Sequence, residues 1–176
     1  MYAAGCGEPF SRKDFPALLE RTAALGMRAS VITNATFIRN TTLELVKRLQ
    51  VQLGVSLDGV NETTNDAIRG QGSFRQAVEA LKRCRDSGIS TTLYVTVTAT
   101  NVEQLDALAR LARELGCNGV HFNEVTIAGR ALHFSDELAL SEEQKRRLPE
   151  LAAQAASHVF GEELSETNDR CWVAGE

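Results

Sequence analysis

Polar side chains able to grip a small ligand recur at one kind of place in this sequence, the far end of a short apolar run. Thr33 and Asn34 follow Ala29-Ser30-Val31-Ile32, and Ser56 and Asp58 close the run from Val51 to Gly59. Thr96 and Thr98 follow Thr92-Leu93-Tyr94-Val95, and Asn123 and Glu124 follow Gly119-Val120-His121-Phe122. Hydroxyls, amides and carboxylates donate and accept hydrogen bonds at short range, which suits binding and orienting a polar small molecule. The turn Cys6-Gly7-Glu8-Pro9 adds a place where glycine lets backbone approach a ligand closely. Arg69, in Ile68-Arg69-Gly70, offers a guanidinium fork that matches a carboxylate in bidentate geometry.

Other chemistries lack their residues. The four cysteines, at 6, 84, 117 and 171, form no CxxC or other close pair, and His121, His133 and His158 have no ligand spacing. Cys84 and Cys117 read as core thiols, since free cysteine behaves as a small buried hydrophobe. A barrel lyase would need a lysine or paired carboxylates at its strand ends, and no lysine lies in any of these runs.

Bringing four strand ends together requires buried parallel strands alternating with helices, because ligands then sit beyond the carboxyl ends of the strands. The pattern predicts the end of a strand before Gly5, a helix over 15–25 with Ser11 and Asp14 as caps, and a strand over 28–33. A helix over 41–49 opened by Thr41 and Thr42, the strand at Val51 and a long polar connection over 60–73 come next. Helices over 73–85 and 102–115 alternate with strands over 90–98 and 119–125. A last helix over 141–159 is capped by Ser141 and ended or kinked at Pro149, and a polar tail begins at Gly161. The class is α/β, a parallel sheet with right-handed crossovers. A composition shift after Ala131 divides a core, 1–131, from an extension, 132–176.

A net charge of −4 without a basic stripe argues against a nucleic-acid partner. Apolar runs stay below the roughly 18 residues of a membrane span, and no leader pattern opens the chain, so the default location is cytoplasmic.

Gly7-Glu8-Pro9 before a helix, Thr33-Asn34-Ala35 closing a strand, Val55-Ser56-Leu57-Asp58-Gly59 closing the next and Ile68-Arg69-Gly70 after it together resemble radical S-adenosylmethionine (SAM) enzymes. The likeness runs in order from residue 3 to about 131 and is greatest to molybdenum-cofactor, pyrroloquinoline-quinone and haem d1 biosynthesis proteins and peptide maturases. Cys171-Trp172-Val173-Ala174-Gly175 resembles the opening of a Cys-rich extension, which makes Cys171 a candidate auxiliary-cluster ligand. The resemblance implies a partial (β/α)6 barrel in a parent oxidoreductase that binds SAM and a [4Fe–4S] cluster. The parent would take electrons from a donor and act on a small-molecule cofactor precursor or a peptide. It further implies that Cys6, Gly7 and Glu8 meet the amino group of SAM and that Ser56 bonds its ribose or carboxylate. Asp58 would fix the strand end, Thr33, Asn34, Thr96 and Glu124 would line the pocket, and Arg69 would clamp a carboxylate.

Two features depart from that family. Its cluster sits on three cysteines spaced CxxxCxxC, because thiolates ligate iron–sulfur clusters, and this sequence has no such triplet. Cys6 stands where the family has a glycine. The expectation is therefore an incomplete parallel (β/α) barrel, a fragment of the radical SAM barrel with a C-terminal helical extension. Alone, it is expected to bind no cluster and to turn over no SAM. The alternative is a non-catalytic βα scaffold for a nucleotide-like ligand or a partner protein, and the open strand edge of a truncated barrel admits a homodimer. Structural readings stand beside the functional ones. Glu8 could cap the helix after Pro9, Ser56 and Asp58 could satisfy strand-end backbone, Arg69 could form a surface ion pair, and Thr96 could reflect strand preference.

Overall fold

Short runs rich in β-branched residues and leucine pair as parallel strands in the computed structural model, which describes residues 2–3, 7–161, 165–168 and 171–175. The strands β1 (Tyr2–Ala3), β2 (Ser30–Thr33), β3 (Gln52–Ser56), β4 (Thr91–Val97) and β5 (Gly119–Glu124) stand in chain order, each parallel to the next. Each step crosses over through helix: α1 (Phe15–Ala24), α2 (Asn40–Arg48), α3 (Glu62–Arg69) with α4 (Ser73–Asp86), and α5 (Leu105–Glu114).

The two-residue period of a strand decides what each face does. In β4, Leu93, Val95 and Val97 are fully buried in one core with Leu81 and Cys84 of α4 and Leu108 and Ala112 of α5. Thr92, Tyr94 and Thr96 alternate with them on the opposite, half-buried face. Gly54, across from Thr92, leaves room there for the Tyr94 ring, which a methyl would approach to 2.5 Å. Tyr94 in turn lies against its register partner His121, with ring centroids 4.4 Å apart. Burial pushes the thiols of Cys84 and Cys117 up to about 11, as befits core residues.

Several expectations change. The connection over 60–73 contains α3, missed because its buried residue is Asn65 rather than an apolar stripe. Its start was nonetheless written locally, since Asn61 Oδ1 accepts the N–H of Thr64 at 2.9 Å. Asp14 stands at the N-cap of α1 but makes no side-chain cap bond; its carboxylate pairs with Arg12 at 2.7 Å, and Ser11 belongs to a 3₁₀ turn, Pro9–Ser11. Thr41 and Thr42 lie inside α2, whose N-cap is Arg39 without a side-chain bond. Residues 102–104 form a 3₁₀ turn before α5.

After β5 come a 3₁₀ turn over Gly129–Phe134, the short α6 (Ser135–Leu138) and the long α7 (Glu142–Phe160). Ser141 and Gln144 complete a capping box at the start of α7, and the helix continues through Pro149 instead of ending there. Buried Ala152, Ala155 and Ala156 bring α7 close to α5, where Arg113 donates to the Val159 carbonyl. The expected polar tail is partly strand. β6 (Ser165–Asn168) and β7 (Cys171–Gly175) extend the sheet to the order β1-β2-β3-β4-β5-β7-β6, with β7 antiparallel to β5. The edge of β5 is thereby paired, and β1 and β6 are the edges among the described strands. No helix among the described residues is long and apolar enough to cross a membrane.

Gly59 is the tightest joint between sheet and α3, since a methyl there would lie 2.8 Å from the Asn65 Cα and the Thr64 carbonyl carbon. Backbone atoms cannot swing aside as a side chain can. Gly59→Ala is therefore expected to lower stability by about 2 kcal/mol in urea unfolding, and a change within about 0.5 kcal/mol would disprove the clash.

Candidate functional site

Beyond the carboxyl ends of β2, β3 and β4 lies a cleft of about 720 Å³. Its polar wall carries Asn34, Ser56, Asp58, Arg69, Thr96 and Thr98, and its other wall carries Val125, Ala131, Phe134 and Leu138. Five residues singled out from sequence, Asn34, Ser56, Asp58, Arg69 and Thr96, thus converge from four segments of chain.

Asp58 organises this wall. Its Oδ1 accepts the Thr96 N–H at 2.7 Å and Arg69 Nη2 at 3.2 Å, while its Oδ2 lies 2.6 Å from Arg69 Nε. Its own N–H donates to Asn65 Oδ1 at 2.8 Å, and its carbonyl accepts Asn101 Nδ2 at 2.7 Å. The side chain is 2% exposed, so burial pushes its pKa up, while the Arg69 charge and the Thr96 N–H pull it back. Arg69, at 24% exposure, shows part of its guanidinium to the cleft and spends the rest on Asp58.

Two buried asparagines hold the frame. Asn101 also donates to the Thr96 carbonyl at 2.9 Å, and its Oδ1 accepts the Thr98 N–H at 2.8 Å, so one amide ties the ends of β3 and β4 together. Asn65 Nδ2 donates to Ser73 Oγ at 2.8 Å, linking the end of β3 to the start of α4. Asp66 completes that corner by accepting the N–H groups of Phe74 and Gly72, at 2.9 and 2.6 Å, which hold its carboxyl below the usual carboxylate range. The sharp corner between the helices passes through Gly70 and Gly72 at φ 99° and 81°, where a side chain would be strained.

Glu8 forms a second bracket. Its Oε1 accepts the Thr33 hydroxyl at 2.7 Å and the Phe10 N–H at 3.2 Å, and its Oε2 accepts the Asn34 N–H at 2.8 Å. The carboxylate therefore both caps the turn after Pro9 and fastens that turn to the end of β2. Thr33 Oγ1 also accepts the N–H of Ala35, which sits in the left-handed region at φ 68° and turns the chain away from the sheet.

Some expected residues are placed elsewhere. Thr33 is buried on the face of β2 shared with Val31 and does not line the cleft. Glu8 and the exposed Gly7 stand behind Asn34 instead of among the lining residues. Glu124 is half-buried at the end of β5 in register with Val97, and its neighbour Val125 reaches the cleft in its place. Register sets Cys171 opposite Asn123. Cys6 lies outside the described residues. Asn65, Asp66 and Asn101 escaped the sequence reading, although Asn101 precedes a helix and Asp66 stands just before the glycines of a corner, where such residues bind backbone.

No group of three or more cysteine, histidine or acidic side chains among the described residues could hold a metal ion. Cys84 and Cys117 are in the core, so the described cysteines do not offer the thiolates that an iron–sulfur cluster needs.

Asn101→Asp replaces two donated hydrogen bonds by a carboxylate facing two carbonyls at zero exposure. It is expected to destabilise the fold by about 3 kcal/mol, measured by urea unfolding, and a near-neutral result would remove Asn101 from the frame. Arg69→Gln leaves Asp58 without its cation and raises the carboxyl further. A carboxyl raised in the folded state is tolerated best when protonated, so the deficit of this variant should be smallest in acid and grow as pH rises through that raised pKa. Unfolding titrations of both proteins from acid to neutral pH test this; a pH-independent deficit would contradict the pairing.

The profile of the Radical SAM superfamily matches residues 3–122. The chain is 36% identical over 147 residues to Fe-coproporphyrin III synthase of Methanosarcina barkeri, covering 82% of this chain and 36% of that protein. It is likewise 36% identical over 146 residues to the mycofactocin maturase MftC of Mycolicibacterium smegmatis, covering 82% and 37%. It thus spans little more than a third of the length of these relatives. In three dimensions it is similar to Streptococcus suis SuiB bound to S-adenosylmethionine, with a TM-score of 0.73 and 19% identity over 88% of this chain and 35% of that one, a likeness of fold. Sequence and architecture agree that the chain belongs to the radical SAM superfamily, and its open parallel sheet is the partial barrel of that family.

Proposed function

We propose that this chain is the SAM-binding core of a radical enzyme that modifies a cofactor precursor or a peptide. The observation that carries the reading is the convergence of Asn34, Ser56, Arg69 and Thr96 on one cleft at the carboxyl ends of the parallel strands. Ser56 offers a hydroxyl to the ribose or carboxylate of SAM. Arg69 is held by Asp58 along its Nε edge, so its remaining N–H groups are pre-oriented for the methionine carboxylate. Glu8 fixes the turn at Gly7 against Asn34, which supports a backbone contact with the amino group. Together with an iron–sulfur cluster, SAM held in this cleft would supply the radical chemistry of the family. The thiolates of that cluster would come from outside residues 1–176, in the longer parent, together with access for an electron donor. Cys171, at the same end of the sheet as Asn123, is the candidate for an auxiliary cluster in that parent. The likeness to Fe-coproporphyrin III synthase and to the mycofactocin maturase MftC supports a cofactor precursor or a peptide as substrate.

S-adenosylhomocysteine, which cannot be cleaved reductively in the same way, separates binding from turnover. Calorimetric titration into the chain is expected to give one site, weakened about tenfold by Arg69→Gln as one charge-assisted contact is lost. Absence of binding, or binding unaffected by Arg69→Gln and Ser56→Ala, would leave the non-catalytic scaffold as the better reading.

A further inference from the structure

The second wall of the cleft has a different chemistry from the first. Val125 is tied to β4 through its N–H to the Val97 carbonyl at 2.9 Å, and Leu138 through its carbonyl to the Ala99 N–H at 3.0 Å. The chain between them arches past the end of β4 as a strap, turning at Gly129 with φ 58°. Ala131, Phe134 and Leu138 of this strap line the cleft, yet none belongs to the hydrophobic core or packs against it. Phe134 remains 54% exposed and Leu132 beside it 61% exposed. Exposed His133, Asp136 and Glu137 alternate with them and do not line the cleft. Among the described residues, the charged ones lining the cleft are Asp58 and Arg69, on the far wall and paired with each other.

An aromatic ring left open to water over a cleft, with His133, Asp136 and Glu137 outside that cleft, gains by covering an apolar ligand. We infer that the strap, through Phe134 with Ala131 and Leu138, receives an uncharged apolar or aromatic group of the substrate and selects for it, beside SAM on the polar wall. This deepens the SAM-binding reading and rests on it for the identity of the neighbour. Phe134 is then a specificity-determining residue. Substrates with a charged group at this point are disfavoured, because the apolar wall offers such a group nothing in exchange for its water.

The probe is N-phenyl-1-naphthylamine, a neutral aromatic dye that fluoresces in apolar surroundings, titrated into the chain with and without saturating S-adenosylhomocysteine. The dye is expected to bind in both conditions. Phe134→Ser should weaken it about tenfold, as the ring's buried area predicts, and Phe134→Leu much less. Leu25→Ser, at an exposed apolar residue that does not line the cleft, should leave dye binding unchanged. The affinity for S-adenosylhomocysteine should be the same in Phe134→Ser, and its circular dichroism should match the parent chain. Dye binding indifferent to Phe134, or abolished by Leu25→Ser, overturns the inference. So does displacement of the dye by S-adenosylhomocysteine, which would make the wall the seat of the adenine. If the dye responds to Phe134 but S-adenosylhomocysteine never binds, the wall stands and the SAM-binding reading falls.

Discussion

The ion pair between Asp58 and Arg69 is the interaction on which the polar end of this sheet depends. A carboxylate that is 2% exposed is stable only with its oxygens occupied, and here Arg69 and the Thr96 N–H occupy them. The pair fixes three things at once: the end of β3, the distance from β3 to β4, and the tilt of α3, which carries Arg69. Because the guanidinium is only partly buried, the same bond that stabilises Asp58 also presents a pre-oriented cation to the cleft. Structure and recognition use one contact.

Buried amides carry the framework outward from that pair. A parallel sheet leaves backbone groups unsatisfied where its strands end, and each of those groups costs free energy if it is buried without a partner. Asn101 and Asn65 meet this need with planar side chains that donate and accept together, so the strand ends can stay dry without being sealed by regular secondary structure. Glu8 does the same for β2 from a turn upstream. Gly59, pressed against the backbone of Asn65, shows how closely α3 must approach for this to work.

The cleft is asymmetric for a reason that follows from topology. Its polar wall comes from strand ends, where unsatisfied backbone and the residues that bind it gather. Its apolar wall comes from a strap anchored to Val97 of β4 and to Ala99 two residues beyond it, free to vary without disturbing the sheet. The sequence has no CxxxCxxC spacing, and Cys84 and Cys117 are committed to the core.

Strand and helix order, the parallel class and the polar strand ends were legible from the sequence, because two-residue and 3.6-residue periods record which side of an element is dry. So were Asn34, Ser56, Asp58 and Thr96 as neighbours, since strand ends in a parallel sheet share one side, whereas Arg69 reaches them from α3. The roles of these residues were not. Asp58 meets Thr96 from 38 positions away, and Asn101 meets Asp58 from 43 away, distances at which local periodicity carries no information. α3 was hidden for a related reason: it buries an asparagine in place of an apolar stripe, and only the tertiary structure supplies the partners that make this tolerable. The pairing of β7 with β5 belongs to the same class, because a strand's partner is set by which edge is open once the other elements have packed, and that is a property of the assembled fold.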